Sequence, residues 1–311
     1  MVEIPNFLEK LDDKIVVLGI SNILYESQIK SGLSTKESAR LFGLIEKTYK
    51  KYLISKNRAS IKFLKTFCEK IDSEVFDKIY ALQKLEFTAR QKKVFLPKIV
   101  TPDLAYFVGY LQGDGFISSD KKQIGFSDEY FDQAEKIELL SRNLFGLAGH
   151  VFPKKSPLSG KDSACLEIKS VVLNSFLHNV FDINRGEKQN LKIPNLIKQD
   201  KILLKYYLAG LFDSDGTLPI NPAEVRQLFI DITFKDKSFI EEIKGALLVF
   251  GVETQKIYER IGKSPKDGRL CSSFELRNRQ KGMLLKFLQE IGFYHTNKAL
   301  RAKLLYSLLD R

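Results

Sequence analysis

Cysteine is scarce in this chain. Cys68, Cys165 and Cys271 lie far apart, are odd in number and form no CxxC pair. That pattern argues against a disulfide framework or a thiolate zinc site and fits a reducing compartment. Histidine is equally sparse: His150, His178 and His295 are scattered, and no His/Cys metal cluster is legible. Long apolar runs and a signal-peptide pattern are missing too. The expectation is a soluble, intracellular protein of the cytoplasm, nucleoid or an organelle matrix. Positive charge, by contrast, is plentiful: 50 Lys and Arg against 38 Asp and Glu, a net +12. The excess is uneven, +7 in residues 1–100, −1 in 101–200 and +6 in 201–311. Lys and Arg displace counterions from phosphates, so a basic balance suits a polyanionic partner, although many basic proteins have none. The 311 residues, 44% hydrophobic, suffice for two or three modest domains with a real core.

Two stretches organise the rest: Phe107-Val-Gly-Tyr-Leu-Gln-Gly-Asp-Gly115 and Leu208-Ala-Gly-Leu-Phe-Asp-Ser-Asp-Gly216, 101 positions apart. Each reads as the last turns of a helix. Small residues stand four apart in each, Gly109 with Gly113 and Gly210 with Ser214, on one helix face. Such a face lets a second helix backbone approach closely. Each stretch ends in Asp-Gly, where glycine suits the position just past a helix end. Asp114 and Asp215 are therefore placed at the negative end of a helix dipole, which costs roughly 0.3–1 kcal/mol. If the helices pack together, the two carboxylates also face each other. That raises a pKa or recruits a cation, and hard oxygen ligands at a seam suggest a divalent metal. A single Asp-Gly is commonly just a turn. Two copies with matching flanks are a repeat.

These two stretches resemble the signature of the LAGLIDADG homing endonucleases, closely at 208–216 and more loosely at 107–115, where Gln112 occupies a position that is often acidic. The resemblance covers residues 100–311. It implies that Asp114 and Asp215 are metal-binding catalytic residues, with Gly113 and Ser214 as further metal-site positions and Mg²⁺ as cofactor. It also implies a basic residue near the site at a strand end. Lys169 in Leu-Glu-Ile-Lys-Ser and Arg277 in Phe-Glu-Leu-Arg-Asn are the candidates, with a phosphate contact or surface cation as the alternative for each. Asp128 and Lys235, after the preceding hairpins, are weaker candidates.

Before the repeats lies a helical stretch. Ser34 with Glu37 forms a capping box, and Gly43 closes that helix. A second helix follows at about 46–55 with Lys47, Thr48, Lys50 and Lys51, and a third near 60–71. Two short helices around a glycine turn, the second basic, outline a helix-turn-helix, and the run from Ser31 to Gly43 resembles the repressor-type version. A plain three-helix bundle with a solvated basic face is the alternative.

The expected architecture is α+β: a small all-α N-terminal domain (1–83), a basic linker (84–103), and two LAGLIDADG halves (104–200 and 201–311). The halves form a pseudo-twofold αββαββα duplication with antiparallel sheets. A two-stranded ribbon fits the DNA major groove. Lys154 and Lys155, and Lys263, Lys266 and Arg269, sit in corresponding loops and read as backbone contacts, with Lys235. The reading is a monomeric, metal-dependent endonuclease that cleaves a long asymmetric site in double-stranded DNA. The alternative is a non-cleaving RNA maturase or transcription regulator of the same fold. With no splicing nucleophile at the start and no terminal His-Asn, a free-standing or intron-encoded element is expected.

Overall fold

The computed structural model describes every residue except 57, 90–91, 156–161, 220, 222–227, 264–269 and 311, and for Lys263 only the backbone. No helix among the described residues is long and apolar enough to cross a membrane.

The N-terminal module holds β1 (Val2–Glu3), β2 (Val16–Val17), α1 (Ser21–Lys30), α2 (Thr35–Leu41), α3 (Glu46–Leu53), α4 (Ile61–Lys70), α5 (Val75–Tyr80), β3 (Glu86–Thr88), β4 (Val94–Phe95) and β5 (Ile99–Val100). The capping box forms as the sequence requires: Ser34 accepts from Glu37 N–H while the Glu37 carboxylate accepts from Ser34 N–H. Gly43 takes φ +64° between α2 and α3, a left-handed turn that glycine enters without strain. Tyr49 of α3 is fully buried, and its hydroxyl donates to Gln28 Oε1 at 2.5 Å.

Two expectations need correction. The module is not purely helical, and residues 84–103 are more than a basic linker. β2, β3 and β4 form a three-stranded sheet, and β5 pairs with β1. Phe87, Val94, Leu96 and Val100 are buried. Strands of two or three residues are too short to show a period, and the surrounding lysines masked their apolar members.

Repeat 1 runs α6 (Pro102–Gly113), β6 (Gly115–Ile117), β7 (Gln123–Asp128), α7 (Phe131–Phe145), β8 (His150–Lys155), β9 (Asp162–Lys169) and α8 (Val171–Phe181). After α9 (Asn195–Lys198), repeat 2 runs α10 (Lys201–Asp215), β10 (Ile230–Phe234), α11 (Lys237–Leu248), β11 (Tyr258–Lys263), β12 (Leu270–Asn278) and α12 (Lys281–Glu290). A further helix, α13 (Thr296–Leu309), closes the chain and was not foreseen. The antiparallel sheets have strand orders β6-β7-β9-β8 and β10-β12-β11. In each sheet one face is buried under helices, by Ile124, Phe126, Leu166 and Ile168 in repeat 1 and by Ile230, Ile232 and Leu276 in repeat 2. The alternate residues form the other face, open in repeat 1 at Ser127 and Lys169 and in part closed in repeat 2, where Asp231 and Glu275 are buried.

The centre of the molecule is the α6–α10 seam. Thr101 caps α6 and Asp200 caps α10 through their side-chain oxygens. A methyl group built on Gly109 would collide with the Tyr207 carbonyl and stand 3.1 Å from Leu211 N. One on Gly210 would collide with the Tyr106 carbonyl, 2.9 Å from Tyr110 N. Each glycine thus admits the other helix's backbone. Gly210→Ala is expected to lower unfolding free energy by about 3 kcal/mol, since backbone cannot move aside as a side chain can. Urea titration reads this directly, and a loss near zero would mean the seam is looser than described.

Candidate metal and phosphodiester site

The seam delivers Asp114, the residue capping α6, and Asp215, the last of α10, to one end of the paired helices. Both line a cleft of about 490 Å³ with Ser127, Asp128, Ser163, Thr217, Lys298 and Arg301. Neither carboxylate accepts a hydrogen bond from a described residue. Burial, then the charges of Asp215 and Asp128, push Asp114 up to about 7, against the opposing pull of Lys298 and Lys188. Burial likewise raises Asp215, while Lys188 and Lys298 pull it down. Two half-buried, mutually repelling carboxylates without donors among the described residues are what a hard cation would relieve. The residues present therefore fit a divalent ion. Among the described residues no cluster of three or more His, Cys, Asp or Glu side chains forms a metal site, so ligation falls to this pair and to backbone oxygen.

Two lysines that the sequence reading passed over stand at the seam. Lys188 Nζ donates to the Gly113 carbonyl. Lys298 Nζ donates to the carbonyls of Ser214 (2.8 Å), Gly216 (2.7 Å) and Phe212 (3.1 Å). Burial lowers both ammonium pKa values and the aspartates oppose that. The carbonyls of Gly113 and Ser214, expected as metal-site positions, thus already carry one donor each and keep a second lone pair. A repeat signal was available: each lysine lies seven residues after the apolar residue at its helix end, Phe181 or Ile291.

Gln112 and Asp213, two residues before each aspartate, are buried at equivalent places. Each accepts a tyrosine hydroxyl from the opposite helix, Tyr207 to Gln112 at 2.7 Å and Tyr106 to Asp213 at 2.8 Å. Beyond that they differ for a reason. Gln112 Nε2 donates to the Lys192 carbonyl at 3.0 Å. Asp213 accepts from the N–H groups of Tyr294 (2.9 Å) and His295 (2.8 Å). One neighbour offers an acceptor and the other offers donors, so the departure at Gln112 follows from its partner. Burial still lifts Asp213 to about 6, against those hydrogen bonds. Gln112→Glu, which cannot donate when ionised, should cost about 2 kcal/mol in urea unfolding and more than Asp213→Asn does. Equal costs would sink this account.

Asp128 closes β7 at the edge of the cleft. Burial would raise its pKa, but hydrogen bonds from His295, Tyr110 and the Tyr130 N–H win and hold it below the ordinary carboxylate value. Counting outward from the aspartates, its counterpart in repeat 2 is Phe234, so the two halves of the site differ.

Lys169 and Arg277 are not brought to the carboxylates. Gln123 pairs with Lys169 and Asp128 with Ala164, so Lys169 is exposed at the far end of the repeat 1 sheet. The two are not equivalent either. Phe116 pairs with Gly125 and that with Glu167, whereas Thr217 pairs with Asp231 and that with Arg277. Glu167, not Lys169, matches Arg277 in register. Similar strings of letters had hidden a two-residue offset, which only hydrogen-bond pairing reveals. Arg277 is bound at 2.9 Å through Nε to Asp231 and at 2.7 Å to Glu275, both buried.

The remaining expected contacts are spread out. Lys47 is exposed and Lys51 half-buried on α3, while Lys50 pairs with Glu46 at 2.6 Å. Thr48 is half-buried. Lys154, Lys155 and Lys235 are exposed. Lys263 ends β11, and Lys266 and Arg269 lie outside the described residues.

Residues 203–292 match the model of a LAGLIDADG-like domain. Over 297 residues the chain is 28% identical to the isomerizing glutamine–fructose-6-phosphate aminotransferase of Methanocaldococcus jannaschii, covering 93% of this chain and 24% of that protein. Over 212 residues it is 26% identical to the ATP-dependent DNA helicase Hel308 of the same organism, covering 62% and 16%. Over 167 residues it is 27% identical to the ribonucleoside-diphosphate reductase NrdEB subunit alpha of Bacillus subtilis, covering 50% and 15%. The chain thus spans a quarter or less of these relatives. Solved structures similar to it include homing endonuclease I-DmoI variants (TM-score 0.42, 14% identity, 61% of this chain and 95% of that chain). Others are I-WcaI bound to its DNA recognition sequence (0.44, 12%, 64% and 85%) and full-length DUF199/WhiA from Thermatoga maritima (0.43, 15%, 67% and 62%).

Proposed function

We propose that this chain, which belongs to the LAGLIDADG family by its match over residues 203–292, is a site-specific endonuclease acting on double-stranded DNA with a divalent ion, Mg²⁺ by preference. The observation that carries the reading is the pair Asp114 and Asp215, half-buried at a glycine-packed seam without a hydrogen-bond donor among the described residues. Asp114, Asp215 and the free lone pairs of the Gly113 and Ser214 carbonyls would hold the metal. A divalent ion bound there supplies an activated water and stabilises the attacking and leaving oxygens of phosphodiester hydrolysis. Lys188 and Lys298, fixed on seam carbonyls, place positive charge where the phosphate gains negative charge. The open sheet faces seat the duplex. The α2–α3 pair, Lys154, Lys155 and Lys235 add backbone contacts. One chain contributes both halves, and the halves differ at Asp128/Phe234 and Gln112/Asp213, so the reading is a monomer on an asymmetric site.

The activities named for the curated relatives share no chemistry, and this chain matches a quarter or less of each. That pattern supports a module carried inside unrelated proteins rather than an aminotransferase, helicase or reductase part.

A second reading has one observation in its favour. The ammonium groups of Lys188 and Lys298 already occupy the carbonyls before each aspartate, so the seam could be neutralised without metal in a non-cleaving DNA or RNA binder. One experiment separates the two. The protein is incubated with a plasmid pool of randomised long inserts in Mg²⁺, in Ca²⁺ and as Asp215→Asn, and any ends are sequenced. Specific breaks only with Mg²⁺ and intact Asp215 support the nuclease; enrichment by binding without breaks supports the binder.

A further inference from the structure

A cleft of about 710 Å³ lies away from the aspartates. Ala89, Lys92 and Val94 of the N-terminal module form one wall; Asp120, Lys122, Gln123 and Lys169 of the repeat 1 sheet form the other, with the start of α8 between them. Three lysines from three separate segments converge there. Asp120 is its one acidic residue and sits 3.0 Å from Lys122. Lys92 and Lys169 are exposed and make no ion pair among the described residues. The lining therefore keeps an uncompensated positive charge.

The two walls are locked together. Phe7 packs edge-on against Phe176 of α8, with ring centroids 5.1 Å apart. Asp12 N–H donates to Ser175 Oγ at 2.9 Å, and the Asp12 carboxylate meets Arg185 at 3.3 Å and Lys121 at 3.5 Å. The helix that begins at the cleft is the one that holds the module, so the lysines need no hinge motion to come together, which spares the ordering cost of binding.

Lys169 lies on the open face of the repeat 1 sheet. Asp128, at the catalytic end, is five residues along β7 from Gln123, the partner of Lys169. At about 3.3 Å per residue the cleft is ~17 Å from the catalytic end, or about five base pairs at 3.4 Å per step. Lysines are flexible point charges, suited to backbone phosphates more than to a planar ligand that needs a bidentate fork.

We propose that Lys92, Lys122 and Lys169 form a phosphate grip on duplex DNA beyond repeat 1, one wall of which the N-terminal module supplies. The proposal rests on the DNA-binding reading above and adds that the module extends the contact on one side only, making the footprint longer beyond repeat 1 than beyond repeat 2.

The test uses the full chain in EDTA and a labelled random duplex of about 40 base pairs, with anisotropy recorded between about 50 and 200 mM salt. The variant is Lys92→Gln/Lys122→Gln/Lys169→Gln. The control, Lys65→Gln/Lys237→Gln/Lys286→Gln, removes the same charge from exposed sites that pair with Asp13, Glu241 and Glu290. Each lost phosphate contact lowers the slope of log K against log salt by about 0.9, so the variant should lose about 2 to 3 and the control nothing. Unchanged urea midpoints verify folding. An equal fall in both triples makes the effect one of net charge and overturns the grip. Wild-type binding with an unaltered slope in the cleft variant overturns the grip and leaves the DNA reading standing. Failure of the wild type to bind duplex overturns both.

Discussion

Asp215→Asn is expected to cut the recovered site about three orders of magnitude more slowly than the wild type, or not at all, while still binding it. Asp114→Asn is expected to do the same. The change is nearly isosteric and the carboxylates accept no hydrogen bond among the described residues, so losing the charge breaks no contact that the fold or the DNA seat needs. Transition-state charge stabilisation does: a single preorganised group of that kind is worth about 10²–10³ in rate, and a metal ligand organises more than one such interaction. Single-turnover cleavage in Mg²⁺, beside binding in Ca²⁺, separates the two effects. Both variants cutting at wild-type rate would remove the seam from the chemistry.

Removing metal exposes the second large effect. Asp114 is pushed from 3.8 to about 7 in the folded chain by burial and by its acidic neighbours. The folded state then holds a proton that the unfolded chain releases once pH passes about 4. Stability from this group is full below the unfolded pKa and falls as pH rises toward 7, then levels off. About three units at 1.36 kcal/mol each amounts to a loss on the order of 4 kcal/mol. Asp213, raised to about 6, adds a loss of the same sign. Asp72, Asp128 and Asp200 are shifted downward. Their contribution is lost only as pH falls below the ordinary carboxylate range, so these three groups are silent between pH 5 and 8. Urea midpoints in EDTA should drop across that window for the wild type and drop less for Asp114→Asn, which becomes the more stable protein at pH 8. Parallel curves for the two would contradict the placement of Asp114. Adding Ca²⁺ at pH 8 should restore stability to the wild type alone, by about 2.7 kcal/mol at a hundredfold excess over its dissociation constant.

Much of this was legible in the letters. Gly109, Gly113, Gly210 and Ser214 announced a helix seam because only small residues at that spacing let two backbones touch. Asp114 and Asp215 followed, since a carboxylate at a helix C-terminus is unfavourable unless something offsets it. The Ser34/Glu37 cap and the αββαββα order of repeat 1 were readable for the same reason: caps, turns and periods are local; in repeat 2 the first strand is only a bridge from Thr217 to Asp231 among the described residues.

What depended on partners distant in sequence was not readable. Lys188, in a loop, and Lys298, on α13, stand 74 and 83 residues past their aspartates, and only their equal spacing from the preceding helix ends sets them apart from surface lysines. Gln112 looked like a lapse from an acidic pattern until the Lys192 carbonyl beside it was seen. Lys169 looked equivalent to Arg277 because strand letters align in more than one register, and only the hydrogen-bonded ladder chooses between them. The short strands of residues 84–103 carry too few residues to declare a period, so their place in two sheets was decided by burial against the module. Sequence determined the seam helices, their caps and the carboxylates, because those follow from chain-local geometry. The tertiary structure decided which cations meet them and where the N-terminal module docks, because both are set by contacts between segments that the chain order keeps far apart.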